Sequence, residues 1–387
     1  MRSLKDALIT LTCRFLSSVF SLFLRRRPLT ANPRSILIIK PCCIGDVLMA
    51  TPTVAQVRAG FPQAKISFAV GNWSREVLEH NPKIDELVDC LSIGSGVRTS
   101  VRDYFAFVRQ LRRSDYNTCL VLDRSPLLTT IPFLAGIPCR IGLDSQGRGF
   151  SLTHKVPCPP DHHDAELYLD TARALGLSIS EPHLEFYPSQ DDVAWAQTRL
   201  AAAFPTTDQE ASPLVALHPG GGVNPGAKLT AKRWLPERYT LLAERLIKDG
   251  ARVVLLGAIS EHPAISEMMS LLNKANPAYS AATLDLSGET TLGQLAAVLK
   301  QCCLFVGNDA GPMHLAAAVG TPVVVIFGPT DPALCGPFAT KSVTVYKKLP
   351  CSPCFVKGRM TVDCADYRCM TAVSVDDVWQ AVKTLPP

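Results

Sequence analysis

Twice along this chain of 387 residues, a run of β-branched and other apolar residues breaks into a loop of glycine, proline and polar groups and then into a helical pattern. Alternation of that kind specifies βα units, and βα units pair their strands in parallel because each helix returns the chain to the same end of the sheet. In the first half the candidate strands are Ile36–Ile39, Ile66–Val70 and Leu120–Leu122. A crossover helix is expected over Val47–Ala59, kinked or delayed by Pro52. From Pro182 to Pro213 strand character is lost, and a proline- and charge-rich stretch holding one helix, Val193–Ala203, reads as inter-domain. A second series then opens, with strands at Leu214–Leu217, Arg252–Leu256, Leu304–Val306 and Val323–Phe327, and helices at Glu237–Lys248, Leu292–Lys300 and Pro312–Val319. The expected fold is α/β: two Rossmann-like domains, over 34–190 and 205–350, whose parallel sheets face a central cleft. Ligands are expected beyond the carboxyl ends of the strands.

The chain is 47% hydrophobic and 19% charged, as expected for a large packed core. A net charge of +5 favours an anionic partner but is too small to argue for nucleic acid, and no basic run with interleaved aromatics occurs. Fourteen cysteines are too few for a disulfide scaffold of this length. Those in apolar runs, such as Cys119 and Cys302-Cys303, read as small buried hydrophobes in a reducing compartment. Residues 1–33 hold an apolar stretch interrupted by Arg14 and closed by Arg25, Arg26 and Arg27. Arg14 spoils a spanning helix, and no clear cleavage site follows. With Leu8, Leu11, Phe15, Ser18 and Leu22 at helical spacing, the segment reads as a helix lying in an anionic membrane surface. The bland alternative is a poorly ordered extension.

Three loops carry candidate chemistry. After the first strand comes Gly45-Asp46. Asp46 could cap the next helix or, at a strand's carboxyl end beside a cleft, act as a general base. The second loop is His218-Pro219-Gly220-Gly221-Gly222, followed by Lys228, Lys232 and Arg233. Its exposed backbone N–H groups and cations suit phosphate, although it is not a Walker A loop; otherwise it is a flexible surface loop. The third is Gly307 to Pro332, in which Asp309, Ala310 and Gly311 precede Pro312 at a helix start and His314 follows in the first turn. That helix end offers free N–H groups and a positive dipole to an anion; otherwise it is a capped crossover. Near the C-terminus, Cys351-x2-Cys354 and Cys364-x4-Cys369, in a tail spanning 351–387, could make a four-thiolate metal knot or pack as reduced thiols.

Together ILIIKPCCIGDVLMATP, HPGGG with AKRW, and NDAGPMHLAAAVGTPVVVIFGPTDP resemble glycosyltransferase family 9, the heptosyltransferases of lipopolysaccharide core assembly. The resemblance runs from about Ser35 onward, and CSPCF with CM resembles the tail of heptosyltransferase II-like members. It implies a GT-B fold and inversion at the anomeric carbon, with heptose moved from ADP-heptose to a lipid-linked saccharide and no catalytic divalent metal. By the same resemblance Asp46 is the base on the acceptor hydroxyl. Lys232 steadies the donor diphosphate, while Gly220, Asp309, Ala310, Gly311 and His314 grip sugar and phosphates, and Glu261 holds the ribose. Gly45 lies on the acceptor side. Arg124, Arg140 and Arg148 are the candidate acceptor-binding cations, since arginine binds phosphates and acidic sugars bidentately; singly, each could be a solvated surface arginine. Arg140 and Arg148 flank IGLDSQG, expected as a mobile loop. A structural Zn or Fe could sit at Cys351, Cys354, Cys364 and Cys369. Cys42-Cys43 stand where many members have serines, which puts hydroxyl contacts to the acceptor in doubt. The implied location is cytoplasmic, peripheral on the inner face of the cytoplasmic membrane. A protein acceptor, a GT-B sugar-nucleotide epimerase or hydrolase, and a silent binding protein are the other readings.

Overall fold

The structure is a computed structural model describing residues 4–23, 29, 32–94, 99–205, 212–224, 227–228, 230–356, 359–360, 364 and 366–385. The chain divides into two compact units, Met1–His183 and Leu184–Pro387.

The first unit runs α1 (Leu4–Phe23), β1 (Ser35–Ile39), α2 (Ile44–Gly60), β2 (Lys65–Val70), β3 (Glu86–Asp89), α3 (Val101–Arg112), β4 (Thr118–Val121), α4 (Pro126–Leu134), β5 (Cys139–Asp144), β6 (His154–Pro157) and α5 (Asp164–Ala174). Its six strands are all parallel in the order β3-β2-β1-β4-β5-β6. Ile36–Ile39 are wholly buried, as a central strand with both faces covered requires. Helix α2 begins at Ile44 and continues through Pro52, so the proline does not delay it. The Leu48 carbonyl, which loses its usual donor at Pro52, accepts instead from the Thr51 hydroxyl at 2.7 Å. The segment expected as the mobile loop IGLDSQG is, over Ile141–Asp144, part of buried strand β5. Gly142 is needed there because a Cβ would come within 2.9 Å of the Val121 carbonyl on the neighbouring strand.

Helix α1 lies against this unit. Thr10 and Cys13 are buried, Ser17 accepts a hydrogen bond from Lys155 at 2.8 Å, and Phe20 meets Phe133 and Phe150 edge-on at 5.3 Å each. Those positions recur at i, i+3, i+7 and i+10, one helix face. The opposite face leaves Leu8, Leu11 and Phe15 exposed by 64%, 67% and 68%. Among the described residues no helix is long and apolar enough to cross a membrane.

The second unit runs α6 (Gln190–Ala203), β7 (Leu214–His218), the short strands β8 (Val223–Asn224) and β9 (Ala227–Lys228), α7 (Pro236–Lys248), β10 (Arg252–Leu255), α8 (His262–Ala275), α9 (Pro277–Ala281), β11 (Thr283–Asp285), α10 (Leu292–Leu299), β12 (Leu304–Asn308), α11 (Gly311–Ala318), β13 (Val323–Phe327), α12 (Pro332–Cys335), β14 (Ser342–Tyr346), β15 (Phe355–Val356), β16 (Arg359–Met360), α13 (Arg368–Thr371) and α14 (Val375–Thr384). Its main sheet is again parallel, in the order β11-β10-β7-β12-β13-β14. Read by position within each unit, both orders are 3-2-1-4-5-6, the doubly wound arrangement. Trp234, fully buried, packs edge-on to Tyr239 at 4.9 Å and donates its indole N–H to the Val373 carbonyl at 2.9 Å. This ties the segment carrying Lys232 to the C-terminal tail. The tail itself is pressed onto the end of β13: a Cβ at Gly328 would fall 2.2 Å from the Met370 sulfur.

Candidate functional site

In a 3-2-1-4-5-6 sheet the first and fourth strands are neighbours whose following segments leave toward opposite sides, opening a crevice at their carboxyl ends. Each unit places a buried ion pair there.

In the first unit, Lys40 follows β1 and Asp123 follows the end of β4, where the Leu122 N–H still donates to the Ile39 carbonyl at 3.0 Å. Lys40, only 5% exposed, places its Nζ 3.1 Å from an Asp123 oxygen, 3.1 Å from an Asp46 oxygen and 5.7 Å from the Tyr168 ring centre. Burial alone would favour the neutral amine. The Asp46 charge, Tyr168 and the Asp123 charge outweigh it and hold the ammonium well above its ordinary range. The N-cap of α2 is Cys43; Asp46 is the third helical residue, and its carboxylate is engaged by Lys40. The adjacent sulfurs of Cys42 and Cys43 are bonded to one another.

In the second unit, β7 ends at His218 and β12 at Asn308, with Asp309 next. Asn308, fully buried, donates to the carbonyls of Pro219 and Gly220 at 3.2 and 2.7 Å and accepts from the Trp234 N–H at 3.2 Å. It thereby fixes the glycine loop and the Lys232 segment to one strand end. Asp309 receives Lys232 and the Thr330 hydroxyl on the same oxygen, each at 2.6 Å, and the Phe355 ring centre lies 5.4 Å from the Lys232 ammonium. Helix α11 starts beside Asp309, with Ala310 at its N-cap offering no side-chain cap and Pro312 within its first turn. That end suits an external anion. His314 is buried in the same turn. The side chain of Lys228 lies outside the described residues.

Glu261 sits under the glycine loop rather than at its surface. It is 3% exposed; one oxygen accepts from Gly222 N–H at 3.2 Å and faces Arg233 at 3.6 Å, and the other accepts from Ala258 N–H at 3.0 Å and faces His218 at 3.4 Å. A Cβ at Gly220 would lie 2.1 Å from the Glu261 carboxylate, so no side chain fits there. Burial pushes this carboxyl up, but the hydrogen bond and charge of His218, the Ala258 N–H and Arg233 win and hold it at about 2.

The three arginines part company. Arg140 is 6% exposed and donates to the carbonyls of Ser151 at 2.9 Å, Ile137 at 2.6 Å and Pro138 at 3.3 Å, with its guanidinium 5.4 Å from the Phe133 ring centre. It is a strut between strand ends, with its donors turned inward, and the acceptor reading is withdrawn for it. Arg124, which follows Asp123, is paired with Asp164 and 37% exposed. Arg148 is half-buried in the loop after β5, beside α1. In the tail Cys354 and Cys369 are buried, and the Cys369 thiol is pushed to about 11 by burial and then by Cys354, Cys364 and Cys351. Among the described residues no three Cys, His, Asp or Glu side chains are arranged to hold a metal ion. Sequence reasoning gave no role to Lys40, Asp123, Asn308 or Thr330, the last two of which lie within the third loop element. The signal for the first two was a charged residue immediately beyond an apolar strand.

Two doubly wound parallel units are the architecture of the GT-B class, and in the second the glycine loop, Lys232 and the start of α11 lie together. The model for glycosyltransferase family 9 (heptosyltransferase) matches residues 104–363, and the chain belongs to that family. It is 29% identical over 331 residues to lipopolysaccharide heptosyltransferase 2 of Escherichia coli K12, covering 81% of this chain and 90% of that one. Its fold is similar to the family 9 glycosyltransferase of Veillonella parvula, with a TM-score of 0.74, 19% identity, and 93% and 99% of the two chains covered. It is also similar in fold to the E. coli ADP-heptose lps heptosyltransferase II, with a TM-score of 0.69, 24% identity, and 91% and 98% covered.

The Glu261 arrangement has a pH signature. Its carboxyl falls from 4.5 to about 2 on folding, so its contribution, about 3 kcal/mol, is full above pH ~4.5 and lost as pH falls toward 2. Glu261→Gln should lower stability at neutral pH and flatten the fall in unfolding free energy between about pH 5 and 2. Equal slopes for variant and wild type in denaturant titrations across that range would refute the assignment.

Proposed function

We propose that this chain moves heptose from ADP-heptose to a lipopolysaccharide core saccharide, with inversion at the anomeric carbon. The observation that carries this reading is the Lys232–Asp309–Thr330 cluster at the start of α11. A donor diphosphate arriving there would draw Lys232 from Asp309, freeing a carboxylate oxygen for sugar hydroxyls. Lys232, the α11 N–H groups and His314 would then stabilise the leaving diphosphate without a divalent cation. Gly220 gives the backbone its close approach, and Glu261 braces the loop beside the ribose position. On the acceptor side Asp46 takes the hydroxyl proton, while Gly45, Arg124 and Arg148 line the approach of an anionic saccharide. Purified protein with ADP-heptose should release ADP only when a truncated core acceptor is supplied, and Asp46→Asn should cut turnover by about 10²–10⁴ with donor affinity retained. ADP release without acceptor would instead mark a hydrolase. Transfer to protein in place of the saccharide would change the acceptor, and full activity of Asp46→Asn would remove the base.

The acceptor is lipid-linked, and α1 supports a working position on the inner face of the cytoplasmic membrane. Residues 1–27 carry six Arg or Lys and one Asp, a net of +5, which equals the net charge of the whole chain. All the excess charge therefore belongs to the segment whose Leu8, Leu11 and Phe15 face outward. Apolar insertion and attraction to anionic headgroups reinforce each other in such a helix. The full chain should float with vesicles containing about one-third anionic lipid and much less with neutral ones, and Leu8→Ser/Leu11→Ser/Phe15→Ser should abolish flotation. Equal behaviour of wild type and triple variant would place the membrane contact elsewhere.

The burial of Cys354 and Cys369 and the Cys351-x2-Cys354 spacing support a structural zinc or iron ion in the tail, away from the reacting atoms. Purified chain should carry about one such ion by elemental analysis, and brief EDTA treatment should leave turnover unchanged. Loss of turnover restored by Mg²⁺ would overturn the metal-free donor mechanism. Metal-free protein with full stability would leave the tail as packed thiols.

A further inference from the structure

The Lys40 cluster contains one carboxylate more than a helix-positioned base requires. We propose that Asp123 is a positioning residue for proton transfer, the second counter-ion that keeps Lys40 paired when Asp46 takes up the acceptor's proton. This rests on the reading of Asp46 as the base.

Before reaction one buried ammonium faces two carboxylates, each at 3.1 Å. In the transfer step the acceptor O–H bond breaks and its proton moves to an Asp46 oxygen. The acceptor oxygen bonds to the anomeric carbon, and the diphosphate leaves with the electron pair. Lys40 keeps all three protons throughout. With Asp46 neutralised, Lys40 would be an unpaired charge in a site that is 5% exposed, which strongly opposes the step. Asp123 removes that opposition, since the Lys40–Asp123 pair survives the step intact. The other groups nearby do not replace it. Tyr168, on α5, is a phenol whose proton burial holds tightly, and Arg124 is bound to Asp164. Asp123 is itself fixed, its other oxygen accepting from Ser125 N–H at 2.8 Å. The three groups come from the ends of β1 and β4 and the first turn of α2, the switch point where a doubly wound sheet receives its ligand.

The signs of two shifts test this. Asp123→Asn removes a neighbouring negative charge, so the acid limb of the pH profile of kcat/KM for the acceptor should move down by about half a unit to one unit. Turnover at neutral pH should fall about tenfold, because a weaker base remains, with the donor KM unchanged. Lys40→Met removes the cation and should move the same limb up by about one to three units, and Lys40→Arg should bring it most of the way back. Asp123→Asn is isosteric at a side chain 24% exposed, so it serves alone if Lys40→Met does not fold. An acid limb for Asp123→Asn that superimposes on wild type, or moves up, overturns the proposal. An Asp46→Asn variant with wild-type turnover would sink the base assignment beneath it, a failure separable from the first.

Discussion

Both halves depend on the same topological constraint: the first and fourth strands of a parallel sheet lie side by side, and the chain leaves them in opposite directions. The ends of two central, buried strands are where polar side chains meet loops, and both units put a buried ion pair there. Lys40 meets Asp123 across β1 and β4, and Asn308 and Asp309 meet the glycine loop and Lys232 across β7 and β12. A charge at such a position is largely out of water, so it persists only with a partner.

The pairing also bears on how a ligand would enter. Lys232 is held by Asp309, and Asp309 also by Thr330. An anion entering there would have to compete with the Asp309 carboxylate for the lysine. Glu261 differs in kind. Its partners are Gly222 N–H and His218 of the glycine loop and Ala258 N–H of its own turn, so it ties the two together without any ligand.

Much of this was legible in the sequence because the central strands are continuous apolar runs: SILII, LVALH, LFVGN and VVVIF all fall close to their expected bounds. The edge strands were not. ELVD and TLD are short and carry charges, and β14, SVTVY, alternates with polar residues as a half-exposed edge does. Strand β5 was hidden by Gly142, whose reason is a close backbone approach invisible in one dimension. Of the candidate site residues, Asp309, Lys232 and Glu261 came through motif resemblance, and the structure adds what each one touches. Arg140 misled because a basic residue beside a glycine-containing stretch looks exposed until the strand pairing is known. Helix α6 begins three residues before its expected start because Ser189 and Asp192 form a capping box that the Pro- and charge-rich context masked.

The bond from the Trp234 indole to the Val373 carbonyl reaches across 139 residues of the chain, and Met370, three residues before Val373, seats against Gly328. Protein domains generally complete their folding from the amino end as synthesis proceeds. The first unit has all its strands once residue 183 has emerged, whereas the lysine turn of the second waits, with its tryptophan uncovered, for the tail. On the ribosome the first unit is therefore finished while the second is still an open sheet, and the segment carrying Met370 and Val373 is what closes it.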